Sequence, residues 1–422
     1  MKVIEAICAS SQSVERKQIR FNEETGLIHD VGDLKIPREG LDFFFDDSFL
    51  LFAGMGDVHI HAREDASGQN NYKEDFFSAF EAMKNGGITH AGDMPNNPIP
   101  PIDKQSYERK FSLTKKAQGC LWLYAGIGPG TRPLPYSIPY KVYMGPSIGE
   151  LYFKDLKSLD ETLSHYKGLS VSFHCEDPEI LESHKEKAHH HERRPVEAES
   201  IATRDALTLI EKYHLKGKLC HYSSREGLAL IREARKRGVD VEIEVTPQHL
   251  YFDLEQLNSK DWKSFQMNPP IRSSWDREAL LEALKMGEIQ YLATDHAPHT
   301  AEEKMKGTSG LTGLDTYAAF VTWLLDEGFS AHLIAKVSAE NPGQFFNRFL
   351  DSWKMLSQEF GSFGKGLGFI ESGYRANFTI IKRHDPFVVT EDKLKTKVKH
   401  SPFLGKTFPG RLEALFIGGK KI

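Results

Sequence analysis

The stretch "AGMGDVHIH" at residues 53–61 is a short apolar run that ends in two histidines, His59 and His61. Its small and apolar residues favour a buried β-strand. Side chains two residues apart point to the same side of a strand, so both imidazoles would leave this strand in one direction. Such a pair is a natural set of metal ligands, although a surface strand can also carry two histidines by chance. The rest of the chain has to decide between these alternatives.

Seven more short apolar runs follow this strand, and helix-like segments lie between them. The runs occupy residues 87–94, 121–128, 140–144, 169–174, 218–223, 241–246 and 289–295. Alternating strands and helices are typical of a parallel sheet, and eight units over about 250 to 300 residues predict an α/β fold, a (β/α)8 barrel of the TIM type. A doubly wound open sheet is the alternative, but no GxGxxG motif follows the first strand.

The two ends of the chain differ from its middle. Residues 1–52 and 364–422 have β-rich, turn-rich patterns such as "GLIHDVGDLKIP" and "LEALFIGGKKI". We expect both segments to form one small β domain beside a barrel that spans residues 53–363. No internal repeat or low-complexity tract interrupts this organisation.

The composition is that of a globular protein with an ample core. The 422 residues are 40% hydrophobic, and 54 basic side chains nearly balance 59 acidic ones. This balance argues against a nucleic-acid surface, and no apolar run is long enough for a membrane helix. The N-terminal residues are too weakly apolar for a secretory signal. Four scattered cysteines without CxxC spacing predict free thiols, so we expect a soluble cytoplasmic protein.

Residues that can bind metals or move protons recur near the carboxyl ends of the predicted strands. They are His59, His61, Lys141, His174, His221 and Asp295. Because this end of a barrel builds the active site, we expect the six side chains to meet there. Imidazole and carboxylate groups suit two divalent metal ions, with zinc as the expected metal. Lys141 fits such a site if its amine has taken up CO₂, because the N6-carboxylated side chain could bridge both ions.

Four motifs, in order along the chain, resemble those of the dihydroorotases in the amidohydrolase superfamily. "GDVHIHARED" at residues 56–65 resembles their Asp-x-His-x-His-x-Arg-Glu opening, and "DMPNNPIPP" at residues 93–101 resembles a Met-Pro-Asn segment. "MNPPIRSSWDREAL" at residues 267–280 resembles an Asn-Pro-Pro stretch, and "TDHAPHTAEEK" at residues 294–304 resembles the motif after strand eight. The resemblance extends over residues 53–350.

The resemblance implies a role for each predicted site residue. His59 and His61 would bind the more buried metal, His174 and His221 would bind the other, and carboxylated Lys141 would bridge them. Asp295 would bind the first metal and act as the catalytic proton shuttle. The predicted substrate contacts are Arg63, Asn96 and His299 at a carboxylate and Asn268 at the ring. His296, beside Asp295, is predicted to point away from the metals.

The implied reaction is the reversible conversion of (S)-dihydroorotate and N-carbamoyl-L-aspartate, a step of pyrimidine biosynthesis. Two metal ions can activate a shared hydroxide near neutral pH, and the planar guanidinium of Arg63 suits a carboxylate. The expected partner is therefore a small substrate that carries a carboxylate, with no nucleic acid and no membrane. A homodimer is the assembly that we consider.

Two other enzyme activities and one non-enzymatic role remain as alternatives. Allantoinases and dihydropyrimidinases would have the same metal ligands, but an uncharged ring would not need Arg63 and Asn96. An inactive barrel could serve as a scaffold for a partner enzyme, but all six ligands are intact. The chain departs from the family at Asp65-Ala66, where Pro-Gly is usual, and at Asn97, where Thr is usual. We also predict that "TAEEKMKGTSG" at residues 300–310 forms a mobile polar loop over the site.

Overall fold

The computed structural model describes residues 1–146, 151–257, 262–356 and 362–422. Its strands are β1 (Lys2–Ala9), β2 (Val14–Asn22), β3 (Leu27–Gly32), β4 (Phe43–Phe44), β5 (Phe49–Ala53), β6 (Met55–Ile60), β7 (Ile88–Asp93), β8 (Leu121–Leu123), β9 (Ala125–Ile127), β10 (Tyr140–Tyr143), β11 (Ser170–His174), β12 (Lys216–Leu219), β13 (Val241–Val245), β14 (Tyr291–Leu292), β15 (Phe378–Lys382), β16 (Phe387–Val388), β17 (Thr407–Phe408), β18 (Arg411–Ile417) and β19 (Lys420–Lys421).

Helices occupy the segments between the barrel strands and the region after the last of them. The helices are α1 (Phe76–Asn85), α2 (Lys104–Phe111), α3 (Leu156–Leu163), α4 (Pro178–His184), α5 (His190–Arg193), α6 (Val196–Tyr213), α7 (Arg225–Lys236), α8 (Pro247–Tyr251), α9 (Ser274–Lys285), α10 (Ala301–Met305), α11 (Tyr317–Asp326), α12 (Ala331–Ala335), α13 (Asn341–Asn347) and α14 (Leu350–Leu356). Within the described ranges, no helix is long and apolar enough to cross a membrane.

Strands β6 to β14 form the predicted parallel barrel. One sheet has the order β6-β7-β8 and the other the order β9-β10-β11-β12-β13-β14. The third barrel strand is divided at Tyr124, where the chain exchanges its partner β7 for β10. Ile60 bridges in parallel to His296, and the His61 amide donates to the His296 carbonyl at 2.7 Å. These contacts join the first unit to the eighth, so the barrel prediction is confirmed.

Both chain ends contribute to a separate β-sheet, as the sequence predicts. Its order is β19-β18-β15-β5-β1-β2-β3, with β4 paired to β1. Strand β5 lies at the centre, parallel to β1 and antiparallel to β15. The predicted first strand begins two residues too early, because residue 53 still belongs to this sheet and Gly54 separates it from the barrel.

Part of the C-terminal segment packs on the barrel rather than in the terminal sheet. Phe403 and Phe408 belong to the main hydrophobic core, and the Phe403 ring stacks on Phe252 of the barrel at 5.3 Å. These two rings are therefore buried against the barrel. The division of the chain at residues 52/53 and 363/364 stays a prediction.

Asp57 ties the first barrel strand to the last. Its carboxylate accepts hydrogen bonds from the Thr294 hydroxyl at 2.5 Å, from the Thr294 amide at 3.1 Å and from the His59 amide at 3.0 Å. Asp57 is fully buried, so these donors would have no access to water if the carboxylate were removed.

We expect Asp57→Ala to lower the apparent melting temperature by several degrees, because each buried donor left unpaired costs about 1–3 kcal/mol. Asp326→Ala at the exposed end of α11 is the control, with an expected change within about 0.5 kcal/mol. Thermal unfolding monitored by circular dichroism measures both. Equal melting temperatures for the two variants would contradict the role of Asp57 in closing the barrel.

Candidate active site

A cavity of about 300 Å³ opens at the carboxyl ends of the barrel strands. Its lining includes every predicted site residue except Lys141. The lining residues are His59, His61, Arg63, Asn96, Tyr143, Pro146, His174, His221, Asn268, Asp295, Ala297, His299, Thr308, Ser309 and Gly310. The structure therefore brings together nine of the ten predicted residues around one space.

One compact ligand group consists of His59, His61 and Asp295. The Nε2 atoms of both histidines lie near the same carboxylate oxygen, Oδ1 of Asp295, at 3.3 and 3.1 Å. One potential ligand atom from each residue lies within 4.8 Å of the other two. Two imidazoles and a carboxylate that converge in this way form a donor set that fits a divalent metal ion.

Glu244 on β13 orients His59, and sequence reasoning did not identify it. Its carboxylate contacts Nδ1 of His59, accepts from the His221 amide at 3.0 Å, and forms an ion pair with the buried Lys218. Because Nδ1 of His59 is occupied in this way, Nε2 is the nitrogen that faces the cavity. Such carboxylate–histidine pairs fix the tautomer and orientation of metal ligands.

His174 and His221 form the second pair of predicted ligands. Nδ1 of His174 lies 3.0 Å from Nε2 of His221, and the remaining nitrogen of His174 contacts Glu176 at 2.7 Å. Arg194 pairs with Glu176 and fixes it in turn. Nδ1 of His174 and Nε2 of His221 therefore point toward each other, as two ligands of one ion would. Glu176 and Arg194 were also missed from the sequence.

Lys141 on β10 is fully buried beside these histidines but does not belong to the cavity lining. Its Nζ lies 2.8 Å from Sγ of Cys220 and 5.2 Å from the centre of the Tyr143 ring. Among the described residues, no carboxylate forms an ion pair with it. A buried lysine that lacks a carboxylate partner is costly as an ammonium group.

The buried setting favours uncharged histidines in the site. Burial, followed by the positive charge of Lys141, lowers the pKa of His59 well below 6.5. Burial and neighbouring His174 do the same for the pKa of His221. Burial also raises the pKa of Asp295 to about 7, and the charge of Lys141 opposes this rise. Neutral imidazoles keep the lone pair that metal binding requires.

Three site residues adopt a backbone conformation that is uncommon for side chains other than glycine. The φ angles are 63° at Arg63, 36° at His221 and 47° at Asp295. Conformations of this kind cost about 1–3 kcal/mol each and persist where surrounding contacts hold them. Strand β12 ends at Leu219, earlier than the predicted limit of residue 223. His221 therefore lies in the turn after the strand and not in the strand itself.

Arg63, His299 and Asn96 lie on the side of the cavity next to His61. Nη2 of Arg63 lies 3.1 Å from Nε2 of His299, and Nε donates to the Pro298 carbonyl at 3.3 Å. Oδ1 of Asn96 lies 2.7 Å from Nδ1 of His61. Arg63 is 4% exposed, and no carboxylate of the described ranges forms an ion pair with it. Its charge is therefore available to an anionic ligand.

The predicted polar loop at residues 300–310 is anchored through Lys304, which is buried in α10. Its Nζ donates to the carbonyls of Gln266 at 2.8 Å, Thr308 at 3.0 Å and Gly310 at 2.9 Å. These bonds join the two segments that supply Asn268 and Gly310 to the cavity. The sequence predicted a mobile polar loop and did not indicate this anchor, because carbonyl acceptors cannot be recognised from residue types.

Asp65 and Asn97, which stand where the family usually has other residues, form local contacts, and Asn97 Oδ1 accepts from the ammonium of Lys110. Asp65 accepts from the Ile99 amide at 2.7 Å and from the Ser67 amide at 2.8 Å, which joins the two loops beside Arg63 and Asn96. His296 lies away from the ligands, as predicted. Its Nδ1 accepts from the Gly313 amide at 3.2 Å, and its Nε2 lies 3.3 Å from Glu74.

Comparison with known proteins supports a common origin over nearly the whole chain. A dihydroorotase from Thermococcus kodakarensis is 32% identical over 405 residues, which cover 94% of this chain and 88% of that protein. A dihydroorotase from Pyrococcus furiosus is 28% identical over 379 residues, which cover 89% and 82%. A search of protein-family models found no match.

Solved structures agree on the fold. L-Hydantoinase (dihydropyrimidinase) from Arthrobacter aurescens matches with a TM-score of 0.83 at 21% identity, covering 100% of this chain and 95% of that one. D-Hydantoinase from a Thermus species matches with a TM-score of 0.81 at 19% identity, with the same coverage. At such low identity, the likeness shows a shared architecture and no more.

We expect Glu244→Gln to weaken zinc binding about 10-fold or more, because the amide keeps an acceptor for His59 but leaves the Lys218 ammonium unpaired near the ligands. Glu242→Gln, two residues earlier on β13, is the matched control and should bind zinc like the unmodified protein. Competition with a chromogenic chelator measures both affinities. Unchanged affinity in a folded Glu244→Gln variant would show that Glu244 does not support the ligand.

Proposed function

Because the chain belongs to the dihydroorotases, metal-dependent hydrolases of cyclic amides in the amidohydrolase superfamily, we propose that it interconverts (S)-dihydroorotate and N-carbamoyl-L-aspartate. The substrate assignment is supported mainly by the setting of Arg63. This guanidinium borders the cavity while buried, and no carboxylate of the described residues pairs with it. A ring substrate that carries its own carboxylate would supply the missing charge.

The proposed orientation of the substrate follows from the two sides of the cavity. The carboxylate would bind Arg63, Asn96 and His299, while the amide to be hydrolysed would face the four histidine ligands. Asn268 would contact the ring from the segment that Lys304 anchors to Gly310. Fixing both ends of a small ring in this way holds the reacting carbonyl in position for attack.

The proposed chemistry needs a nucleophile and a proton shuttle. Divalent metal ions, when bound, supply an activated water molecule and polarise the amide carbonyl. Asp295 would accept the proton of the nucleophile and deliver it to the departing ring nitrogen. Glu244 and Glu176 would keep the histidine ligands oriented throughout the reaction. Cyclisation would use the same groups in reverse.

Zinc as the metal and carboxylation of Lys141 are further parts of the proposal. Superfamily members use a binuclear metal centre, and the histidine-rich donor set suits zinc. Lys141 is buried beside the ligands without a carboxylate partner among the described residues, so conversion to an anionic carbamate would remove an unfavourable positive charge. The carbamate would also provide two oxygen atoms between the metal ions.

We propose a cytoplasmic location for the enzyme. All four cysteines are buried free thiols, which agrees with a reducing cytoplasm. The expected substrate is small, and a homodimer stays a prediction.

Ring opening of dihydroorotate by the enzyme purified with zinc and bicarbonate tests the substrate directly. We expect kcat/KM to exceed the values for dihydrouracil, hydantoin and allantoin by about 100-fold or more, because a buried charged contact contributes about 3 kcal/mol. Arg63→Met should remove most of this preference. Turnover of only the uncharged rings would contradict the proposal, and a zinc-loaded enzyme without any turnover would favour the scaffold alternative.

Lys141→Ala should lose bound zinc and activity together, because the bridging group would be absent. Lys157→Ala at an exposed position of α3 is the control and should retain both. Protein prepared with ¹³C-bicarbonate should show a carbamate carbon signal by NMR that the Lys141→Ala variant lacks. Full activity of that variant would show that the bridge is wrong.

A further inference from the structure

His299 lies between two cations and one carboxylate at the edge of the cavity. Its Nε2 faces Nη2 of Arg63 at 3.1 Å, and its Nδ1 lies 3.3 Å from Oε2 of Glu303. Lys73 completes the group, because its Nζ lies 2.8 Å from Oε1 of Glu303 and 3.5 Å from Nδ1 of His299.

These contacts determine which nitrogen of His299 carries the proton. The guanidinium of Arg63 has donors and no acceptor, so Nε2 of His299 must accept from it. The imidazole proton is therefore on Nδ1, where the carboxylate of Glu303 accepts it. In this arrangement Arg63 and His299 satisfy each other, and the side of His299 that faces Arg63 presents a lone pair.

A substrate carboxylate that contacts both Arg63 and His299 cannot bind this arrangement without a change at His299. A carboxylate has acceptors only, and both Arg63 and His299 would have to donate to it. If it displaced Nε2 from Arg63, its oxygen would face the imidazole lone pair. His299 must therefore acquire a proton on Nε2, either by becoming a cation or by exchanging one neutral tautomer for the other.

The charges around His299 favour the neutral exchange. Arg63 and Lys73 are positive, and Glu303 and the substrate carboxylate are negative, so the four charges already balance. An imidazolium would add an unbalanced charge in a buried position. Burial, followed by the charges of Arg63 and Lys73, lowers the pKa of His299 far below 6.5. The carboxylate of Glu303 opposes this lowering of the pKa, and the nearby Lys304 adds to it.

Lys73 is placed to support the second tautomer. Lys73 is 8% exposed, and its ammonium can donate to Nδ1 of His299 once that nitrogen has lost its proton, while it keeps its ion pair with Glu303. The neighbouring Glu74 anchors this part of the backbone, because its carboxylate accepts from Thr396 at 2.5 Å and contacts His296 at 3.3 Å. Lys73 therefore approaches His299 from a fixed position.

We propose that Lys73 is a positioning residue for carboxylate recognition. It stabilises the Nε2–H tautomer of His299 when the substrate carboxylate binds beside Arg63. This inference rests on the proposed carboxylate-bearing substrate. One proton leaves Nδ1 for water and one proton from water joins Nε2, so binding involves no net uptake.

The first test follows the tautomer in the zinc-loaded enzyme labelled with ¹⁵N-histidine. The probe is orotate, a ring carboxylate that differs from dihydroorotate by one additional carbon–carbon double bond. We expect the signals of His299, assigned by their loss in His299→Gln, to change from the Nδ1–H to the Nε2–H pattern when orotate binds. Calorimetry in two buffers of different ionisation enthalpy should show no net proton uptake.

The second test separates positioning from structural support. Lys73→Met should raise KM for dihydroorotate about 10-fold or more and change kcat little, whereas KM for dihydrouracil should stay the same. Lys73→Arg should recover much of the loss, because it restores a donor. Tyr72→Phe is the control, since it removes another hydrogen bond to Glu303, of 2.7 Å, from an exposed residue.

Each outcome supports or overturns the inference. Orotate binding without a tautomer change, uptake of one proton, or an unchanged KM in folded Lys73→Met would overturn it while dihydroorotate turnover still stands. Failure of both orotate binding and dihydroorotate turnover in the zinc-loaded enzyme would overturn the proposed function together with this inference.

Discussion

The contact between the first and last barrel strands is the constraint on which the site depends. His61 and Asp295 are 234 residues apart in sequence, yet one carboxylate oxygen lies 3.1 Å from the imidazole. Asp57 makes this possible by binding the Thr294 amide and hydroxyl from within the His-x-His strand. The bridge from Ile60 to His296 continues the same closure. A barrel that failed to close here would still have helices and strands but would have no three-ligand group.

Both pairs of predicted histidine ligands are oriented by the same kind of contact. Each pair has a histidine whose outer nitrogen is held by a buried carboxylate, and each carboxylate is paired with a cation. Glu244 and Lys218 serve His59, while Glu176 and Arg194 serve His174. Burying charged groups costs free energy even when each has a partner. These ion pairs fix the orientation of the histidine ligands. The Lys73–Glu303–His299 group extends the arrangement to the side of the cavity where Arg63 lies.

Candidate site residues could be predicted from the sequence where they lie at the carboxyl end of a predicted strand. Histidines at the ends of predicted strands and Asp295 after the last one could be identified because a barrel brings those ends to one rim. The supporting groups could not be found in this way. Glu242 and Glu244 look alike in "VEIEV", but one pairs with Arg348 and the other holds His59. Only the closed barrel distinguishes them. The anchoring role of Lys304 could not be recognised for a similar reason, since its three partners are backbone carbonyls.

A crystal structure of the zinc-loaded Asp295→Asn variant with dihydroorotate would show the metal and substrate positions together, because slowed turnover would keep the ring in place. We expect anomalous signal for two zinc ions beside the four histidines. We also expect the substrate carboxylate between Arg63 and His299, with the amide carbonyl toward the metals. Metal held by other residues, or a ring whose carboxylate points away from Arg63, would contradict the proposed site.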